Sequence, residues 1–516
     1  MLSTMGEFRP MEARRPRRLV AAWLCLMAAG AVALTACTRP EAPSQGEPVI
    51  LNIGATGEPV GLDPSTVNGA GTPFVLLYNV YETLVRIDGE GAIRPLLARD
   101  YSVSDDNKVY TFNLDGLAKF ASNTPVDAEA VVTSFDRILK GDGITDQVTS
   151  KMAPVDSVKA LDSDTVEVTL KQPSNQWLFD MAGPAGIIYD PAGLDTLDTK
   201  PAGSGPFAFA EWETGQFVKL VRNDHYWGTG TRVDEVFFRY YADPNAMNTA
   251  MLSGQLDIIS NLTVPQALDQ FGDPDKYTVI EGTTDGEVVL GFNHDNPQLA
   301  DLKVRQAINY GIDRQALVDS VWGGKGMLIG SMVAPTDPWF EDLSKTYTFD
   351  QEKARALLKE AGFESGLTLR LRVPTLPYAP PAARFIAAQL KEIGVTVQVE
   401  ELEFARWLSE VYTAGDYDMT IVAHVEPRDI GNFANPDYYW HYDNPAFADL
   451  IKKADEGSAQ EQVTLMKEAA KMLADDAAAD WLFLLPNLVI TTKEVSGLEQ
   501  NATSLSFDLT SVATNR

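Results

Sequence analysis

The sequence predicts an α/β protein with more than one domain. Three observations carry that prediction. The chain has 516 residues, too many for one ordinary hydrophobic core. Segments with apolar residues at every second position recur from residue 49 onward, which is the period of half-buried strands. In the second half such segments alternate with helix patterns that begin on an Asp and stop at a Gly. Helix, strand, helix, strand in that order argues for an α/β lobe.

Arg14, Arg15, Arg17 and Arg18 precede an apolar run from Leu19 to Ala33, and Leu34-Thr35-Ala36-Cys37 follows it. A charged region, an apolar region and a small residue before the cut form the layout of a secretory signal peptide, here residues 1–36. The alternative is a membrane anchor, because Leu19–Ala36 is just long enough to span a bilayer. Residues 37–48 are polar and have no apolar period, as expected of a short tether.

Val49-Ile50-Leu51-Asn52-Ile53 is the first predicted strand, closed by Gly54. Tyr110–Leu114 alternates in the same way. Asp127 then caps a helix whose face is Ala128, Val131, Val132 and Phe135. Val166, Val168 and Leu170 mark another strand, and Phe217–Arg222 a further one. Asp301 caps a helix that buries Val304, Ala307, Ile308 and Gly311. Asp350 caps the next, with Ala354, Leu357, Leu358 and Ala361 inside and Gly362 as the stop. A helix over Ala382–Ile393 buries Ile386, Gln389, Leu390 and Ile393 and ends at Gly394. Val395, Val397 and Val399 then alternate as a strand, and Asp418–Ala423 is a short buried strand.

Of the 42 Lys and Arg, five lie in residues 1–36, as do two of the 72 Asp and Glu; the other 480 residues carry a formal charge of about −33. Such a surface repels nucleic acid and anionic headgroups. Cys25 would leave with the signal peptide and Cys37 would head the mature chain. No disulfide, thiol nucleophile or thiolate metal site is therefore expected. Gly203-Ser204-Gly205 precedes Pro206 and has the composition of a turn, and Gly323-Gly324-Lys325-Gly326 lacks the spacing of a phosphate loop. The four histidines are isolated from one another in sequence. No cofactor and no metal is expected, and no nucleophile with a base points to an enzyme.

Tyr438-Tyr439-Trp440-His441-Tyr442 places five rings in five residues. The run is either a buried plug or the wall of a ligand pocket. Upstream, Glu426-Pro427-Arg428-Asp429 sets three charges in a loop after a buried strand. Loops at the carboxyl ends of α/β strands are where ligands tend to bind.

Several segments, taken in order, carry a resemblance. They are Leu62-Asp63-Pro64, Tyr78–Val85, Pro95–Ala98, Tyr101–Asp106, Tyr110–Leu114 and Thr124-Pro125-Val126. Pro201–Phe207, Arg222–Trp227, Phe292-Asn293, Val304–Ile308, Asp313-Arg314, Ala354–Gly362 and Val495–Leu498 continue the series. Together they resemble the extracytoplasmic solute-binding proteins, family 5, of peptide and nickel ABC importers. One departure is Ser122-Asn123, where that family usually has a Gly. Leu34–Cys37 resembles the bacterial lipobox, in which the Cys takes a diacylglyceryl group and becomes the first mature residue.

The resemblance implies a two-lobed clamshell like the periplasmic binding proteins (type II, cluster C), with an extra subdomain inserted in lobe one. Lobe I would comprise residues 49–78, 201–290 and 484–516, the inserted subdomain 79–200 and lobe II 291–483. The hinge strands would cross near Leu290–Asn293 and Leu482–Pro486. The implied function is the substrate-binding component of an ABC importer. It would be a monomer, lipid-anchored through Cys37 to the bacterial cell membrane, that captures an oligopeptide or similar small polar solute for a membrane permease. A nickel-chelate binder of the same family is one alternative, and an extracellular hydrolase or an adhesin is another. The family's W-x-G-D pattern is absent, and His424–Gly431 stands in its place. Glu426 and Asp429 are the nearest carboxylates there, and Arg428 adds a cation suited to a carboxylate or phosphate. The expected ligand contacts are Glu426, Arg428, Asp429, His424, Asn293, Tyr439, Trp440 and Glu58.

Overall fold

The computed structural model describes residues 48–515. The expected signal peptide, Cys37 and the expected tether as far as residue 47 lie outside the described residues. Among the described residues, no helix is long and apolar enough to cross a membrane.

Ten strands form one sheet that carries the whole architecture. Its spatial order is Phe207–Glu213, Phe217–Arg222, Glu235–Tyr240, Ile50–Ala55, Ile258–Ile259, Ala479–Thr492, Tyr277–Phe292, Met419–His424, Leu367–Pro374 and Val395–Leu402. The first five come from before residue 260, and the last three from between 367 and 424. Between them run two long antiparallel strands, Tyr277–Phe292 and Ala479–Thr492. The chain thus passes from one half to the other through a paired ribbon.

That ribbon belongs to two different cores. Leu488, Val489 and Ile490 pack with residues 51–271. Val288 to Phe292 and Ala479 to Leu484 pack with residues 299–478. The exchange falls where the register breaks: Thr283 faces Pro486, and the next paired residues are Glu287 and Leu484. A bulge leaves extra residues unpaired and bends the strand locally. The sequence placed the crossing near Leu290–Asn293 and Leu482–Pro486; the break lies opposite Leu484–Pro486 on the second strand and ahead of Leu290 and Phe292, which are fully buried in the second core, on the first. The apolar run starting at Val288 holds the strand firmly there, so the break sits just before it.

The predicted elements form where their chemistry requires. Asp127 accepts from the Ala130 amide at 2.9 Å, Asp301 from Lys303 at 2.8 Å and Asp350 from Lys353 at 2.9 Å. Each satisfies an amide that a helix start would otherwise leave without a partner. Gly362 and Gly394 take φ of +88° and +90° at helix ends, a region that costs residues with a Cβ. The helix expected over 382–393 spans Ala379–Glu392, because Pro380 and Pro381 fit a first turn that needs no amide partner. Val132 is only half-buried, and Ser134 and Ile138 complete the inner face of the Ala128–Lys140 helix instead.

Residues 84–188 form a separate core under a four-stranded antiparallel sheet ordered Ala98–Val103, Val109–Leu114, Thr165–Leu170, Val155–Ala160. Beside it lies a fully buried carboxylate, Glu82. It accepts from the Ser204 hydroxyl at 2.7 Å and the Trp227 indole at 3.0 Å. Burial pushes its pKa up to about 7, against those donors. The folded state therefore holds a proton that the unfolded chain loses near pH 4.5, so this stabilisation is present in acid and lost as pH rises through 7. The buried Asp480 and the half-buried Asp337, both pushed up to about 6, act with the same sign. The thermal midpoint should fall between pH 5 and pH 8. Glu82→Gln should shrink that fall while keeping the Ser204 and Trp227 contacts; an unchanged slope by calorimetry would refute the assignment.

Candidate functional site

Strand Met419–His424 lies antiparallel to Tyr277–Phe292, with His424 opposite Glu287. Its carboxyl end delivers the loop Val425–Arg428, and a 3-10 turn follows over Asp429–Ala434. Arg428 enters that turn at φ +60°, a left-handed conformation uncommon for a side chain of this size. Its guanidinium compensates. It lies 3.7 Å from the Phe179 ring centre and 4.8 Å from that of Trp339, and it donates to Asp337 at 3.2 Å. A planar cation between two rings, with a carboxylate at its edge, is an arrangement that Arg provides and Lys does not. Burial lowers the pKa of Arg428, and Asp337 opposes that shift.

Phe179 reaches this loop from the distant segment 174–180, which is tied to helix Pro445–Glu456. Asp455 accepts from the Ser174 hydroxyl at 3.0 Å and the Gln176 amide at 2.8 Å. Asn175 donates to the carbonyls of Ala454 and Gly457 at 3.0 and 2.8 Å. The same region supplies Lys151, paired with Asp180 at 3.4 Å, and Gln147, whose amide donates to Glu426. Asp180 holds the Lys151 pKa above its ordinary value. Burial raises those of Asp180 and Glu426.

His424 is fixed at both ring nitrogens, each 2.9 Å from its partner. The Asp429 carboxylate only accepts, so Nδ1 donates to it, while Nε2 is hydrogen-bonded to the Tyr439 hydroxyl. Behind this pair stands the aromatic run. Trp440 is 1 % exposed and stacks on Phe433 at 3.9 Å and 13°. Tyr439 lies parallel to His424, and its carbonyl accepts from the Tyr417 hydroxyl at 2.6 Å. Tyr439 and Trp440 are thus buried behind the loop and pack on His424, whereas Tyr438 and His441 are half-buried.

The structure brings together Glu426, Arg428, Asp429 and His424 and separates two other expected residues from them. Asn293 donates to the carbonyls of Gly415 and Tyr417 at 3.1 and 3.0 Å and accepts from the Asp295 amide, so it braces a turn. Glu58 accepts from the Trp212 indole and the Gly215 amide, both at 2.8 Å, and braces the hairpin of Phe207–Arg222. Both side chains are spent on backbone geometry.

Sequence reasoning missed the carboxylates on the facing strand. Asp285 and Glu287 are 8 % and 4 % exposed and stand at the register break. Burial raises both pKa values well above the carboxylate range; Asp337 and Asp429 reinforce both shifts, and Asp285 adds to that of Glu287. Glu287 Oε2 and Asp429 Oδ1 are buried without a hydrogen-bond partner. An Asp-Gly-Glu directly ahead of an apolar strand was a legible signal, because charges placed there must be buried or spent. Asp337 and Trp339 sit in a Pro-rich turn and gave no such signal. The assembly is a cluster of carboxylates around one buried guanidinium, with more acidic than basic groups.

Comparison with known proteins places the chain in a family. Residues 92–456 match the family model described as bacterial extracellular solute-binding proteins, family 5 Middle. The chain is 29% identical over 485 residues to the probable D,D-dipeptide-binding periplasmic protein DdpA of Escherichia coli K12, covering 88% of this chain and 92% of that protein. It is 27% identical over 383 residues to the dipeptide-binding protein of the same organism, covering 68% and 71%. Its fold is similar to that of the ABC transporter substrate-binding protein CtaP of Listeria monocytogenes. The TM-score is 0.81 at 23% identity, over 91% of this chain and all of that one.

Proposed function

The chain belongs to the bacterial extracellular solute-binding proteins, family 5, and on that premise we propose that it captures an amine-bearing solute, foremost a short peptide, between two lobes. The observation that carries this reading is the surplus of buried carboxylate at the loop 424–429: Glu287 Oε2 and Asp429 Oδ1 lack partners there. A buried anion without a partner costs several kcal/mol, and an ammonium group removes that cost. Two dipeptide-binding relatives support the class of solute. The lobes would comprise residues 49–78 with 201–290 and 484–516, the inserted subdomain 79–200, and residues 291–483. Closure about the ribbon would present the loaded form to an ABC permease. A nickel chelate is the weaker reading, because His424 would have to release Asp429 or Tyr439 to bind metal.

Native mass spectrometry of protein purified from its host tests the reading. The expected result is a co-purified solute with a primary amine or guanidinium. A solute without a cationic group would refute it. Anchoring through Cys37 has its own test: Cys37→Ser should abolish palmitate labelling in the host, and labelling at the wild-type level would rule the anchor out.

A further inference from the structure

The charges around the loop 424–429 do not balance, and the imbalance specifies the solute more closely. Asp180, Asp285, Glu287, Asp337, Glu426 and Asp429 converge there, against the full cations Lys151 and Arg428. Those two cations are already committed, Lys151 to Asp180 at 3.4 Å and Arg428 to Asp337 at 3.2 Å. The remaining carboxylates fall into two places. Asp285 and Glu287 lie two residues apart on one strand, and the nearest charges acting on Glu287 are those of other carboxylates. Asp429 and Glu426 lie on the loop, where His424 and Gln147 donate to one oxygen of each. One orphaned oxygen stands in each place: Glu287 Oε2, with its residue 4 % exposed, and Asp429 Oδ1, with its side chain 5 % exposed.

One ammonium group serves one of these places and leaves the other, already biased by burial toward its protonated form, with its orphaned oxygen unpaired. We propose that the solute carries two positive charges, one for the Asp285–Glu287 pair and one for Asp429 with Glu426. This rests on the cationic-solute reading above and narrows it to dicationic ligands, such as a peptide with a basic side chain. Arg428 is not available to the solute, because Phe179, Trp339 and Asp337 surround it. It limits the negative surplus and excludes cations from its own corner.

The test is calorimetry on the full chain, freed of bound solute by unfolding and refolding. Ala-Lys, Ala-norleucine and Ala-Glu are compared, together with cadaverine and n-pentylamine. The three dipeptides share one terminal amine and differ in the second charge. Ala-Lys should bind roughly ten-fold or more tightly than Ala-norleucine, and Ala-Glu should be weakest. Asp285→Asn and Glu287→Gln, which keep side-chain size, should each erase most of that preference. Equal binding of Ala-Lys and Ala-norleucine would overturn the inference and leave the peptide reading intact. Binding of cadaverine over n-pentylamine with no dipeptide bound would support two charges and overturn the peptide reading. No binding of any dication, or a full preference retained in both variants, would overturn the inference.

Discussion

Arg428→Ala should lower stability by about 3–5 kcal/mol at pH 8 and by clearly less at pH 5. The guanidinium is the nearest cation to Asp337, and it also acts on Asp285 and Asp180. Its removal leaves buried carboxylates without compensation and opens the space between Phe179 and Trp339. At pH 8 the chain must keep those groups charged at a high cost or take up protons at a pH that disfavours it. At pH 5 Asp337 is largely protonated already, since its pKa is pushed up to about 6 even with Arg428 beside it. Only the lost packing then remains. Arg428→Lys should recover the charge term and leave the stacking term. Thermal unfolding of the three proteins at both pH values checks this. Equal midpoints for Arg428→Ala and wild type at pH 8 would show that the guanidinium compensates nothing.

Trp440→Ala should cost about 3–5 kcal/mol at any pH, the range for removing a large buried aromatic side chain. The side chain is 1 % exposed, stacks on Phe433 at 3.9 Å and lies 4.7 Å from the His424 ring. Its loss removes the wall that holds His424 against Asp429, so solute affinity should fall as well. A milder perturbation from the opposite side is Gly291→Ala. A Cβ there would lie 2.7 Å from Trp440 Nε1, a clash that pushes the ring off Phe433. Unfolding and solute-binding measurements on the two variants should therefore shift in the same directions. Trp440→Ala with wild-type affinity would separate that ring from the site.

Much of this architecture was legible because it rests on local chemistry. Asp127, Asp301 and Asp350 each precede an apolar face at helical spacing, and each caps the helix it predicts. The loop 424–429 stood out because three charges follow a buried strand. What local patterns cannot give is which distant groups meet. Phe179 and Asp337 come from chain positions 249 and 91 residues from Arg428, and only the tertiary fold brings them to its guanidinium. Glu58 and Asn293 have side chains suited to ligands, yet backbone amides and carbonyls claim them. Demand from turns and hairpins is invisible until the turns are seen. The aromatic run was ambiguous for a related reason: a plug and a pocket wall have the same composition, and the close stack of Trp440 on Phe433 is visible only in the tertiary fold.

The central claim is that solute is held between two halves joined by the ribbon of Tyr277–Phe292 and Ala479–Thr492. Small-angle X-ray scattering tests it most directly. The protein is freed of solute by unfolding and refolding, then saturated with the solute recovered from it. Binding should reduce the radius of gyration, because solute that bridges the halves favours the closed form over the open one. A radius of gyration unchanged at saturation would contradict capture by closure.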